Sequence, residues 1–134
     1  MTRVLCCWEL GGGLGHLFRL APIGLELAKR GCQVIYAIPD VAGRETFLQN
    51  HAYQIIEAPL WQAPPKDYAF SQTYGQNLLR NGYWHRESLQ DQLRGWLALF
   101  DRCQPDVIVA EHAPSALLAA RNTRSAVAQQ HCVP

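Results

Sequence analysis

The sequence predicts an α/β domain of three layers, in which helices cover both faces of a parallel, Rossmann-like sheet. Two short runs, Arg3–Trp8 and Gln33–Ile38, are rich in apolar and β-branched residues, which is typical of strands buried on both faces. A helical pattern separates them and the connections are short, so we expect right-handed crossovers and parallel strands. The chain has 134 residues, enough for one domain and too few for two ordinary ones.

The first helix is predicted from apolar and small residues that recur at helical spacing over residues 17–28. Pro22 lies inside this stretch, so we expect the regular part of the helix to begin near Ala21. Gly31 then stands where a helix typically ends.

The remaining elements follow from the same two periodicities. They are a short helix at 42–50, a strand at 53–57, a helix at 87–102, a strand at 107–110 that ends at Glu111, and a helix that opens at Pro114. From Asn122 the apolar signal fades. The predicted strand order is 3-2-1-4.

Composition and charge exclude several classes of function for this chain. The apolar fraction is 49%, the charged fraction 17% and the formal net charge +1, which favours a folded core and gives no reason to expect nucleic acid or an anionic membrane as a partner. The first nine residues do not resemble a signal peptide, and no apolar run approaches a membrane span, so a cytoplasmic location is expected. The five cysteines have no metal-binding spacing and are interpreted as buried, reduced thiols; no metal or cofactor is expected.

A glycine-rich loop, Gly11-Gly12-Gly13-Leu14-Gly15-His16, joins the first strand to the first helix. Such a loop lets backbone N–H groups approach a ligand at the positive end of a helix, although a tight turn without a ligand is the alternative. A dinucleotide fingerprint fails in both frames, because its third glycine falls on His16 or Phe18. Asp40 does lie where an acidic ribose ligand would be found, so an NAD(P)-dependent oxidoreductase stays a less favoured alternative.

Two segments carry a resemblance to a known family. GGGLGHLFRLAPIGLELAKRGCQVIYAIPD and PDVIVAEHAPSALLAA resemble the N-terminal domain of GT-B glycosyltransferases, among them the UDP-sugar-dependent family 1 enzymes and the N-acetylglucosamine transferase of peptidoglycan synthesis. Together the segments cover about a third of the chain. The resemblance implies that residues 1–134 form a single, partial N-terminal domain, half of a GT-B fold, and that the C-terminal donor-binding domain is absent. Cys132-Val133-Pro134 also resembles the step that precedes the next strand in these domains, so the chain is expected to stop just before a fifth strand.

The same resemblance implies two catalytic residues. His16 stands at the position of the family's loop histidine, a general base, and Glu111 at that of the acidic residue that orients it. The family acid is usually Asp, which is one methylene shorter. Contact with a ligand or a structural cap are the alternatives for His16, and a surface carboxylate at a strand end is the alternative for Glu111.

Further residues are predicted to contact the acceptor. The region 58–75 is long and rich in aromatic residues without a period, which is typical of a binding loop, although part of it can equally be ordinary core. The predicted contacts are Gly12, Gly13, Leu14, Gly15, Trp61, Tyr68, Tyr74 and His112.

The resemblance implies the acceptor-binding half of an enzyme that moves a hexosyl group from a nucleotide-sugar, such as a UDP-sugar, to a hydroxyl group. The acceptor would be a small or lipid-linked molecule, and this chain alone would be inactive. A donor-domain partner chain and a homo-oligomer are expected as partners. A stand-alone Rossmann-like binding module, or a subunit of a split transferase, remains the alternative.

Overall fold

The computed structural model describes residues 1–59, 61 and 73–130, which form one α/β domain around a five-stranded parallel sheet of order β3-β2-β1-β4-β5. The strands are β1 (Arg3–Trp8), β2 (Gln33–Ile38), β3 (Gln54–Glu57), β4 (Val107–Glu111) and β5 (Ala126–Gln130). The helices are α1 (Gly15–Lys29), α2 (Tyr74–Leu78), α3 (Arg86–Cys103) and α4 (Pro114–Ala120), with a 3-10 turn at Glu45–Phe47 and a π-type turn at Leu79–Tyr83.

Two apolar layers confirm the predicted three-layer architecture. Along β1, Leu5 and Cys7 face the layer that contains α3 and α4. Their neighbours Val4, Cys6 and Trp8 face the opposite layer, which contains α1. Because successive side chains of a strand point to opposite faces, a continuous apolar run is what a central strand between two helical layers requires.

The adjacent thiols of β1 are therefore on opposite faces, as expected. Burial raises the pKa of Cys6 to about 12 and also raises that of Cys7, so both stay protonated at neutral pH. The described cysteines are free.

The first helix begins earlier than predicted. It starts at Gly15 rather than near Ala21 and continues through Pro22. The reason is packing, because Leu17 and Leu20 are fully buried against the sheet and stabilise the turns that precede the proline. Tertiary contacts therefore outweigh the local penalty of Pro22.

The predicted helix at 42–50 is wrong. Only Glu45–Phe47 is helical, as a single 3-10 turn. Gly43 has φ of +80°, a left-handed conformation that interrupts a right-handed helix.

The expectation of a chain that stops before a fifth strand is also wrong. β5 pairs in parallel with β4, with Ala126 opposite Val107, so the order 3-2-1-4 extends to a fifth strand. The open edge belongs to β5 and not to β4. The apolar signal is weak there because an edge strand is exposed, and Val127 keeps 47% of its surface accessible.

The long helix at 87–102 is confirmed as α3, and its apolar stripe is largely as predicted. Trp96 and Phe100 are buried, whereas Leu97 is exposed. Gln92 is buried instead, and its amide donates to the carbonyl of Pro59 at 2.8 Å.

In the described part of the chain, none of the helices is long and apolar enough to cross a membrane.

Gly24 permits the close contact between α1 and the sheet. A Cβ at this position would overlap the Tyr36 hydroxyl and lie 2.6 Å from Tyr36 Cζ. Gly24→Ala is expected to lower the free energy of unfolding by about 1–3 kcal/mol, because the overpacking exceeds the gain in helix propensity. Chemical denaturation measures this. Gly15→Ala is the control, since the added Cβ meets no atom within 4 Å there; equal effects of the two substitutions would refute the packing explanation.

Candidate functional site

The carboxyl ends of the parallel strands gather the predicted site residues at one edge of the sheet. In the register, Trp8 at the end of β1 lies beside Glu111 at the end of β4. The glycine loop follows β1 directly and leads into α1. In open α/β sheets this edge is where ligands bind.

His16 and Glu111 are in direct contact. His16 Nδ1 lies 2.9 Å from Glu111 Oε1. Glu111 is fully buried and His16 is 20% exposed, so Glu111 is not a surface carboxylate. A carboxylate accepts, and therefore Nδ1 carries the hydrogen and Nε2 is the basic nitrogen of the neutral ring. The structure thus brings the predicted pair together, while their catalytic roles stay predictions.

Gly11 makes room for the His16 ring. A Cβ on Gly11 would lie 2.5 Å from His16 Nε2, and Gly11 has φ of +94°, which other residues rarely adopt. The glycine is therefore required here by both space and backbone conformation. Of the other loop residues, Gly12, Gly13, Leu14 and Gly15 are exposed beside the site.

Arg19 is a third member of the cluster that the sequence analysis missed. Its NH1 lies 3.5 Å from Glu111 Oε1, the same oxygen that His16 contacts. It follows His16 by three residues on α1, so the two side chains share a helix face. That spacing is the signal that could have identified it.

His112 lies against the His16 ring, with ring centroids 5.0 Å apart. Burial lowers its pKa, and the nearby His16 lowers it further, so the His112 ring is neutral at pH 7. Its backbone has φ of +44°, a strained conformation for a residue with a side chain, at the end of β4. Within the described residues its Nδ1 is buried without a hydrogen-bond partner.

The Trp8 side chain packs beside the His16 ring. The Trp8 ring lies 5.5 Å from the His16 ring, and the Arg44 guanidinium stacks over Trp8 at 4.7 Å. The Arg44 side chain also donates to the carbonyl of Pro39. These contacts connect the ends of β1 and β2 next to His16.

Glu9 is a second buried carboxylate, which the sequence analysis did not identify as part of a site. Its Oε1 accepts from the Tyr83 hydroxyl at 2.9 Å and from the Ser115 backbone N–H at 3.0 Å. Its Oε2 accepts from Trp96 Nε1 at 2.6 Å and from the Ser115 hydroxyl. Glu9 therefore joins the end of β1 to α3, to α4 and to the turn at Leu79–Tyr83.

The predicted aromatic contacts divide into three groups. Tyr74 is exposed and its ring lies 6.3 Å from that of His112, so it borders the site. Trp61 packs on Tyr83 at 4.7 Å and thus extends the Glu9 network. Tyr68 lies outside the described residues.

A groove of about 500 Å³ lies away from this edge. It is lined by residues that include Phe100, Asp106 and Arg124, and Asp106 directly precedes β4 at the amino edge of the sheet. The His16–Glu111 pair lies at the opposite edge. In the parts of the chain that the structure describes, no three His, Cys, Asp or Glu side chains converge as metal ligands would.

Comparisons with known proteins show the fold. No family model and no curated protein matches the sequence. Several solved structures match the fold of this chain, each over 96% of its length. MurG of Acinetobacter baumannii matches with a TM-score of 0.66 at 16% identity, and the glycosyltransferase SsfS6 of Streptomyces sp. SF2575 with 0.63 at 15% identity. UGT73P12 of Glycyrrhiza uralensis, complexed with glycyrrhetinic acid 3-O-monoglucuronide, matches with 0.58 at 19% identity.

The chain therefore has the Rossmann-like fold of one domain of GT-B glycosyltransferase structures. It spans 35%, 39% and 27% of the length of these three structures, respectively.

Glu9→Gln tests the importance of the buried carboxylate. The substituted amide turns one acceptor into a donor that faces other donors, so the free energy of unfolding is expected to fall by about 2–4 kcal/mol. Urea denaturation followed by Trp fluorescence measures it. Glu26→Gln, an exposed change on α1, is the control and should stay within about 0.5 kcal/mol. Equal stabilities of the two variants would contradict a structural role for the Glu9 network.

Proposed function

We propose that this chain is the acceptor-binding half of a glycosyltransferase, one that moves a hexosyl group from a nucleotide-sugar, such as a UDP-sugar, to a hydroxyl acceptor. The observation that carries the proposal is the contact between His16 Nδ1 and the buried Glu111 at the ligand-binding edge of the sheet. The fold that the chain shares with glycosyltransferase structures supports it.

In the proposed mechanism His16 is the general base. A sugar or alcohol hydroxyl is a poor nucleophile at neutral pH, and Nε2 of His16 would take its proton as the oxygen bonds to the sugar. The bond between the sugar and the nucleotide would break in the same step, with the nucleotide as the leaving group. Glu111 would hold the ring in the tautomer that leaves Nε2 basic and stabilise the imidazolium that results. Gly11 lies against Nε2, since a Cβ there would be 2.5 Å from this atom, so a side chain at this position would obstruct the base.

The acceptor is proposed to be a small or lipid-linked molecule with an apolar body. Tyr74 borders His112, and Leu14 in the glycine loop is also exposed, so the acceptor would meet apolar surface near the base. Gly12, Gly13 and Gly15 would let backbone groups approach the acceptor closely. The ligand in the Glycyrrhiza uralensis structure, glycyrrhetinic acid 3-O-monoglucuronide, belongs to this chemical class.

The nucleotide-sugar would be bound mainly by a second domain or by a partner chain. The chain spans at most 39% of the structures named above, which leaves most of their length for that task. We place the protein in the cytoplasm, where nucleotide-sugars are available. A split transferase differs from a continuous enzyme only in whether the donor half is covalently joined.

His16→Ala is expected to reduce sugar transfer by roughly 10²–10⁴-fold, the range typical of a lost general base. The assay combines this chain with a donor-binding half, joined or mixed, and follows nucleotide release from UDP-sugars in the presence of a panel of hydroxylated acceptors. Glu111→Gln should lower the rate in the same direction, because the amide cannot stabilise an imidazolium.

Glu26→Gln, far from the site on α1, is the matched control and should retain the rate. The 134-residue chain alone should transfer no sugar. Transfer by the isolated chain would show that it is not merely an acceptor half, and an active His16→Ala variant would exclude the base. A positive fluorescence titration with NAD(P)H instead of UDP-sugars would favour the oxidoreductase alternative.

Self-association through β5 is also proposed. The strand Ala126–Gln130 carries no charge and no proline, the features that normally protect an open edge. Light scattering over a dilution series should therefore show a dimer or larger species, and Val127→Lys should shift it to the monomer. Tyr53→Lys, next to β3 at the opposite edge, is the control and should leave the oligomer intact. A wild-type chain that is monomeric at every concentration would refute this proposal.

A further inference from the structure

Arg19 shares one carboxylate oxygen with His16. Glu111 Oε1 lies 2.9 Å from His16 Nδ1 and 3.5 Å from Arg19 NH1. Glu111 is fully buried, whereas the Arg19 side chain is 47% exposed. The guanidinium thus reaches from solvent to a buried charge that the imidazole also contacts.

Glu111 and Arg19 have opposite electrostatic effects on the His16 ring. A carboxylate favours the charged form of a neighbouring imidazole, and a nearby cation disfavours it. A guanidinium remains charged at every relevant pH, so Arg19 permanently offsets part of the Glu111 charge. Without it, the His16 ring would bind a proton at higher pH.

We propose that Arg19 is a positioning residue that holds the Glu111 carboxylate and makes proton binding by His16 weaker than it would be without the guanidinium. It acts on the base through Glu111. The consequence for catalysis rests on the function proposed above, since only a neutral imidazole can accept a proton from a hydroxyl.

The other groups around His16 do not provide this control. His112 on the loop after β4 faces His16 with a neutral ring, because burial lowers its pKa. Arg44 contacts the Trp8 ring, the carbonyl of Pro39 and Asp40, and its described contacts do not include the His16–Glu111 pair. Glu9 is held by its own donors from α3 and α4. Arg19 is thus the described cation in contact with the His16–Glu111 pair.

The first experiment titrates the His16 ring by NMR in the 134-residue chain, with His16→Gln used to assign its resonances. In Arg19→Gln the midpoint of the ring titration should rise by about 0.5–1 pH unit, and low salt should enlarge the change. Arg19→Lys, which keeps the charge, should restore most of the wild-type midpoint. Arg30→Gln removes an exposed charge at the far end of α1 and should leave the midpoint unchanged.

An unchanged or lower midpoint in Arg19→Gln would overturn the proposal, and so would an equal rise in Arg30→Gln, which would indicate a general charge effect. Arg19→Met provides a second neutral variant, judged by the same criteria, should the glutamine variant not fold.

The second experiment measures kcat/KM against pH with a donor-binding half present. In Arg19→Gln the rising limb should move to higher pH by the same amount, with the plateau at high pH retained. A lowered plateau with an unmoved limb would indicate a merely structural role and overturn the proposal. If His16→Ala retains activity while the NMR midpoint still moves, the proposed function fails but the coupling between Arg19 and His16 stands.

Discussion

The buried carboxylate of Glu9 is the interaction on which the arrangement of this domain most depends. A charge at the end of a central strand is stable only when donors surround it, and here four donors converge from α3, α4 and the turn before α3. Removing any one of these elements would leave the charge without part of its solvation. The carboxylate therefore specifies where the α3–α4 layer meets the end of β1.

The position of the candidate site follows from that constraint. Glu9 lies two residues before Gly11, the first residue of the glycine loop, so its network helps to determine where the loop leaves the sheet. The residue between them, Leu10, donates its N–H to the carbonyl of His112 at 3.1 Å, which joins the loop to the segment after β4. Since Glu111 is adjacent to His112 in the chain, the same contacts place Glu111 beside the first turn of α1, where His16 lies.

Much of the fold could be predicted because its signals are local. The continuous apolar runs of β1 and β2 mark central strands, and short connections between strand and helix indicate parallel pairing. The failures occur where tertiary contacts override local preference. Leu17 and Leu20 hold α1 helical ahead of Pro22, and the exposed strand β5 forms by backbone hydrogen bonding to β4 without an apolar pattern.

The candidate site was predictable only in part. A glycine loop that ends in His16 and an acidic residue at a strand end are visible in the sequence, and parallel topology brings the two ends to one edge. The roles of Glu9 and Arg19 could not be predicted with equal ease. Glu9 is identified by donors that lie 74 to 106 residues away, and Arg19 by an oxygen 92 residues away. Contacts between groups so distant along the chain leave no periodic signal.

The two buried carboxylates at this edge of the sheet, Glu9 and Glu111, have different partners. The difference distinguishes a structural carboxylate from one that lies beside the proposed base. Glu9 accepts from an indole, two hydroxyls and a backbone N–H, all of them neutral donors held in place by packing. Such an arrangement solvates a charge but offers no group that exchanges protons near neutral pH. Glu111 instead meets an imidazole, the side chain that ordinarily titrates in that range, together with a guanidinium that stays charged. In the function proposed above, the base would therefore exchange its proton beside Glu111, while the neighbouring Glu9 network joins the end of β1 to α3 and α4.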